Sequence, residues 1–358
     1  MKKINFILPV ASRNPIGGFK VIYEYANRLI NDGYAINIIL PATLLWEEKS
    51  FKEKIKGIVR YLYFKIDKKK YLPYNWFPLD RNISIYWVLT LKEKNIPNAD
   101  YCFATACETA EYIKDYSLMK GKKLYLIQGY ENWSFSEERL LKTWKSDLKK
   151  IVIAEWLMRI SNSIGEQSEL IYNGLDFEKF NLDVKISERK NQKLLMLYHK
   201  LELKGTKVGL KALEILKECN KEFEITMFGI HKRPKDLPKY IKYYENPNHK
   251  LLRKLYNEAA IYIGTSYGEG WGLTVAEAMQ CGCAIVCTDV NGYNELVENN
   301  KTGLLSTGGN YEELSKNIIQ LLDDPELRIT LANNGNKFIQ DFTWEKAYKK
   351  LKKVIESC

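Results

Sequence analysis

The chain has 358 residues, 46% hydrophobic and 28% charged, the proportions of an ordinary globular protein but too long for one typical core. Its longest apolar stretch, "AINIILPATLLW", falls short of a membrane span and contains Pro41, and Lys2 and Lys3 lead straight into "INFILPV" without a secretory leader, so a cytoplasmic location is expected. The formal charge is +11, but no zinc finger, RNP signature or arginine-rich arm accompanies it, so nucleic acid is not an expected partner.

In chain order, the first half offers seven short apolar runs, "INFILPV", "YAINIILP", "ISIYWVL", "DYCFATA", "KLYLIQG", "KIVIAE" and "ELIYNG". The second half offers "LLMLYH", "FEITMFG", "IKYYEN", "AAIYIG", "AIVCTDV" and "TGLLST". Helical segments separate them. Such alternation, with continuous rather than alternating apolar strands, predicts parallel sheets covered on both faces: two doubly wound α/β domains with ligand sites at the carboxyl ends of their strands and a cleft between them. The polar, aperiodic stretch "DFEKFNLDVKISERKNQK" predicts a linker at 176–193, between a first domain over 1–175 and a second over 194–340. Thr343 and "WEKAYKKLKKVI" predict a final helix within 341–358.

Two segments of the first half stand out. Gly17 and Gly18 fall where a strand hands over to a helix; they either let backbone N–H groups approach a phosphate or simply make a tight turn. From Trp46 to Leu72 the chain carries nine Lys/Arg against four acids, with Phe51, Ile55, Ile58, Val59, Leu62 and Phe64 at helical spacing. That pattern suits a basic amphipathic helix resting on anionic lipid, and equally a surface helix with one core-facing stripe. The seven cysteines include no CxxC pair; Cys281 and Cys283 lack the further ligands a zinc site needs, so buried thiols and no metal are expected.

The richest stretch is "TSYGEGWGLTVAEAMQCGC", Thr265 to Cys283, which follows an apolar strand. Gly268, Gly270 and Gly272 precede a good helix former, so free backbone N–H groups and a helix N-terminus make an anion site. Glu269 lies inside that turn and Glu277 just within the helix. Carboxylates repel phosphate, but each can accept both hydroxyls of a vicinal diol. A ligand with phosphate in the middle and hydroxyl-bearing rings at both ends reconciles the two: a nucleotide-sugar, with Glu277 at the ribose and Glu269 at the hexose. The alternative is a glycine-rich turn with two surface acids.

The element "EGWGLTVAE" is an E-x7-E pattern, and the run "SYGEGWGLTVAEAMQCGCAIVCTDVNGYNELVENNKTGLL" resembles the donor-binding half of glycosyltransferase family 4. The N-terminal "GG", "IYNGLDFEKF", "KGTKVGLKAL" and "FTWEKAYKKL" match in order, so the resemblance runs end to end. It implies the GT-B fold, two Rossmann-like domains with the donor on the second, the acceptor on the first and the last helix crossing back. It places Glu277 at the ribose and Glu269 at the donor sugar. It places the N–H groups of Gly270, Trp271, Gly272, Leu273 and Thr274 at sugar and phosphate, with Gly17, Gly18 and Gly229 among the donor-binding residues. The family's diphosphate-binding Lys corresponds to Lys204. Lys200 stands where an Arg is expected, with spacing one residue shorter and without the guanidinium fork. His199 reads as an ordinary strand-end residue. No histidine precedes residue 199, so Gln128, Tyr130, Glu131 or Trp133 would take the place of the family's first-domain histidine; Glu131 also reads as an acid at a helix start.

The resemblance further implies retaining, metal-independent transfer, in which the departing phosphate helps deprotonate the acceptor hydroxyl and no cofactor takes part. The expected function is hexose transfer from a nucleotide-diphosphate sugar to a glycan or lipid-linked acceptor in cell-surface polysaccharide biosynthesis, with possible docking on an anionic membrane through 46–72. The other readings are an epimerase-like enzyme on the same fold, or a silent nucleotide-sugar-binding module that docks on membrane.

Overall fold

Every one of the apolar runs quoted above holds all or part of a strand. In the computed structural model, which describes residues 1–67 and 72–358, the chain forms two compact units, Met1–Tyr172 with Glu345–Cys358 and Asn173–Trp344. The first unit holds β1 (Lys3–Ile7), β2 (Ala35–Pro41), β3 (Ser84–Val88), β4 (Tyr101–Ala104), β5 (Lys122–Ile127), β6 (Lys149–Val152) and β7 (Ser168–Leu170). They form one parallel sheet in the order β3-β2-β1-β4-β5-β6-β7. The second unit holds β8 (Lys193–Leu197), β9 (Glu224–Gly229), β10 (Lys242–Glu245), β11 (Ile261–Gly264), β12 (Ala284–Asp289) and β13 (Leu304–Thr307). These are also parallel, in the order β10-β9-β8-β11-β12-β13.

The central strands explain the continuous apolar runs. Every residue of β4 and β11 is buried, because helices cover both faces of each sheet. Each sheet also reverses its winding once, between β1 and β4 in the first unit and between β8 and β11 in the second. At such a switch point the loops leaving the two central strands diverge and leave a crevice at their carboxyl ends. In the second unit those loops are 198–205 and 265–272.

The segment 176–193, expected as a linker, lies inside the second unit. Side chains hold it there: the buried Arg189 guanidinium donates to the carbonyls of Val184, Tyr256, Ala259 and Cys281, and Asn257 Oδ1 accepts the N–H groups of Asp183 and Val184. A polar sequence stapled by backbone acceptors carries no apolar periodicity, so it reads as a linker. The final helix, Trp344–Ser357, packs on the first unit, where Lys352 pairs with Asp32 at 2.7 Å and the Tyr348 hydroxyl donates to the carbonyl of Arg28.

The basic segment forms a helix over Phe51–Ile66, started by a capping box between Ser50 and Glu53. Its expected continuation at 68–71 lies outside the described residues. Only Gly57 and Phe64 of this helix are buried, Phe64 against Trp87, while Phe51 is 79% exposed and Val59 59%. Apart from Phe64, the apolar stripe therefore faces outward. Among the described residues, no helix is long and apolar enough to cross a membrane.

Candidate active site

The loop after β11 turns sharply into the helix Leu273–Gln280 at Gly272, whose φ of 96° is left-handed and whose Cβ, if present, would meet the Tyr293 ring at 2.8 Å. Glycine alone satisfies both. No side chain caps this helix. The Trp271 side chain is buried against Phe342, so this residue offers a ligand its backbone rather than its indole.

The loop after β8 makes one 3-10 turn, Glu202–Lys204, and enters the helix Thr206–Glu218 through Gly205. Two hydrogen bonds tie the loops together: the Thr265 hydroxyl donates to the carbonyl of Lys204 at 2.8 Å, and Tyr267 N–H to the carbonyl of Leu203 at 2.7 Å. This staple brings Lys204 Nζ to 2.7 Å from Glu269 Oε1. The Ser266 hydroxyl donates to the same oxygen at 2.7 Å and receives a bond from the Tyr293 hydroxyl at 3.2 Å. Burial, with Glu269 adding to it, pushes the Tyr293 phenol well above its ordinary range, so it stays a neutral donor here. Glu277 is buried one turn into the helix, with the Tyr256 hydroxyl 3.3 Å from Oε2.

The structure thus brings together Lys204, Glu269, the Gly270–Thr274 turn and, on the same helix, Glu277. Lys200 is exposed and makes no ion pair among the described residues. Gly229 ends β9, where its carbonyl accepts from Asn246 N–H at 2.6 Å. Ser266 and Tyr293 were not singled out in the sequence. Ser266 sits three residues before Glu269 in the quoted stretch, whereas nothing local marks Tyr293.

In the first unit, Gly17 opens the helix Gly17–Asn31 and the Gln128 amide lies over Gly18, 3.2 Å from where a Cβ would sit. The Tyr130 hydroxyl donates to Glu137 at 2.9 Å, and burial pushes it up to about 12. Glu131 accepts the Cys107 N–H at 2.6 Å, at the start of the helix Cys107–Ile113, so the helix-start role is realised on a neighbouring element. Burial raises its carboxyl to about 7. Cys107, Glu108 and Glu131 are also the one group of potential metal ligands found close together among the described residues, within 4.8 Å of one another.

A cation on a loop carboxylate, beside an uncapped helix N-terminus at a sheet switch point, is the arrangement of a phosphate-bearing ligand site. Residues 178–338 match the family model described as glycosyl transferases group 1. Over these residues, somewhat under half of its length, the chain is similar to the group 1 glycosyl transferases. Among curated relatives, an uncharacterized glycosyltransferase of Methanocaldococcus jannaschii, MJ1178, is 28% identical over 225 residues, 59% of this chain and 64% of that protein. The capsular polysaccharide biosynthesis glycosyltransferase CapM of Staphylococcus aureus is 24% identical over 63% of this chain and 67% of its own length. The match to the archaeal relative therefore spans less than two thirds of that protein. Among solved structures, Anabaena Alr3699/HepE in complex with UDP and glucose superposes with a TM-score of 0.74 at 16% identity, covering 100% of both chains. That likeness establishes the fold as the two-unit GT-B type.

Proposed function

We propose that this chain is a retaining, metal-independent glycosyltransferase that moves a hexose from a nucleotide-diphosphate sugar to a glycan or lipid-linked acceptor in cell-surface polysaccharide biosynthesis. The observation that carries the reading is the Lys204–Glu269 pair at 2.7 Å, set against the Gly270–Thr274 turn. In this reading the donor diphosphate takes Lys204 away from Glu269, and the freed carboxylate accepts sugar hydroxyls. Glu277, oriented by Tyr256, accepts the ribose hydroxyls. As the glycosidic bond breaks, negative charge grows on the departing phosphate, and Lys204, Lys200 and the N–H groups at the helix start stabilise it. The acceptor hydroxyl then attacks on the vacated face and gives its proton to that phosphate. The polysaccharide assignment leans on the similarity to CapM, and the donor class on the similarity to the Anabaena protein in its complex with UDP and glucose.

The first unit is proposed to hold the acceptor, with Gln128, Tyr130 and Glu131 as its candidate contacts. The outward apolar stripe of Phe51–Ile66, flanked by Lys52, Lys56, Arg60 and Lys65, supports docking on an anionic membrane surface that carries a lipid-linked acceptor. Each cation near such a surface adds about 1 kcal/mol, so binding is reversible and salt-sensitive.

A panel of nucleotide-sugars scored first by thermal shift and then by transfer in EDTA tests the reading, since a ligand specific to the folded state raises the melting temperature. One donor should stabilise the chain and be consumed with retention. Stabilisation by none, or activity abolished by chelator, refutes the donor site or the metal-free chemistry respectively. Co-sedimentation with anionic vesicles at low salt, lost when the four named cations become Glu, tests the docking.

A further inference from the structure

His199 sits at the neck of the loop that carries Lys204. Its N–H donates to the Thr206 hydroxyl oxygen at 3.0 Å, and that hydroxyl donates back to the carbonyl of His199 at 2.8 Å, closing the loop 200–205 at its base. The imidazole then reaches into the loop: Nδ1 accepts the Leu201 N–H at 3.0 Å. The carbonyl of Leu201 in turn accepts the Lys204 N–H at 3.0 Å. A continuous run of bonds therefore leads from the ring to the residue that delivers the cation. A backbone N–H can be accepted only by an unprotonated ring nitrogen, so the proton of the neutral ring is on Nε2. The ring is also braced edge-on by His231, with centroids 5.7 Å apart.

We propose that His199 is a positioning residue, whose neutral imidazole, held as the Nε2–H tautomer, fixes the turn that sets Lys204 for the donor diphosphate. The proposal rests on the donor reading of Lys204 given above. Protonation would put a second N–H at Nδ1, pointing at the Leu201 N–H; the bond is lost and the turn loosens. The charged groups around the ring come from three loops: Lys204 on its own, His231 after β9 and Glu269 after β11. Burial first, then Lys204 and His231, hold the imidazole below its ordinary value, and Glu269 opposes them. The lock is therefore present above that lowered value and is lost as pH falls through it.

The chain has three histidines, so imidazole nitrogens are readily assigned by long-range nitrogen–proton NMR using His199→Asn as the reference. The expected result is an Nε2–H tautomer for His199 with a midpoint below about 6.5, the unperturbed value. An Nδ1–H tautomer, or a midpoint at or above that value, overturns the lock. This readout needs no activity, so it stands apart from any failure to find a donor. In transfer assays, His199→Ala should lower kcat about tenfold or more at neutral pH with a smaller change in KM, as expected when a transition-state cation is misplaced. His199→Asn, whose Oδ1 can accept the same N–H, should restore most of kcat and abolish the acidic limb of the pH profile. Wild-type kcat in His199→Ala, or an acidic limb that survives in His199→Asn, overturns the positioning role.

Discussion

Gly205→Ala probes the staple that aligns the two site loops. Gly205 has a φ of 61°, and a Cβ there would lie 1.8 Å from the carbonyl oxygen of Thr265. The left-handed conformation alone costs a non-glycine residue about 1–2 kcal/mol. The clash is with backbone, so no rotamer relieves it, and the loops must part by roughly 1.5 Å to reach van der Waals distance. That movement breaks the bonds from Thr265 to the Lys204 carbonyl and from Tyr267 to the Leu203 carbonyl, each worth about 0.5–1.5 kcal/mol net. The total is about 2–5 kcal/mol, or a melting temperature lower by roughly 5–15 °C for a unit of this size. A displacement of about 1 Å at a site costs on the order of 100-fold in rate, so turnover should fall further than stability implies. Differential scanning calorimetry with steady-state kinetics on the same sample measures both. A variant melting within about 2 °C of wild type, well short of the shift expected from these losses together, with unchanged kcat would refute the claim that the loops are locked through this contact.

Lys204→Ala should lower kcat by about 100- to 1000-fold with a smaller loss of donor affinity, the pattern for a group acting on charge that grows in the transition state; near-normal turnover would rule that role out. Glu277→Gln should weaken donor binding about tenfold in calorimetric titration, for one charge-assisted bond made neutral, while the fold survives. Unchanged affinity for a donor that the wild type turns over would remove Glu277 from the ribose. Glu131 has a folded value of about 7 against its ordinary 4.5, so the folded state binds the extra proton and stability is lost as pH rises through that window. Glu131→Gln should flatten this dependence and gain on wild type in urea denaturation at pH 8 relative to pH 5; parallel curves would show that Glu131 is not held protonated.

Much of this was legible in the sequence, for physical reasons that also mark where legibility ends. Strands covered on both faces must be apolar at every position, so β4 and β11 announce themselves. The turn at Gly272 and its helix are contiguous, so the uncapped helix start and its two glutamates fall within one short stretch. Lys204 lies 65 residues from Glu269, and only the family resemblance linked them before the fold did. Periodicity foretold the helix at Phe51–Ile66 but not which way its apolar stripe faces, because that depends on what packs beside it. What holds 176–193 lies mostly far along the chain, in the carbonyls that Arg189 reaches and in the Asn257 side chain. The His199 bond to Leu201 spans two residues and leaves no trace in hydrophobic pattern, so a residue that reads as a strand end holds the neck of a loop.

The resting ion pair resolves the electrostatic conflict that the sequence posed. A carboxylate in a phosphate cradle is unfavourable only if it stays uncompensated. Lys204 and Glu269 are mostly shielded from water, their side chains 26% and 13% exposed, so their attraction is screened less than at a free surface. Either group alone would hold an unbalanced charge there. In the donor reading, a diphosphate supplies the anion that releases Lys204, and sugar hydroxyls supply the donors that Glu269 then lacks. Neither exchange is favourable without the other, since phosphate alone leaves the carboxylate unsatisfied and a sugar alone leaves it paired. In that reading the site would discriminate for the joined molecule over its halves, with the Ser266–Tyr293 bonds keeping the carboxylate in place while its partner changes.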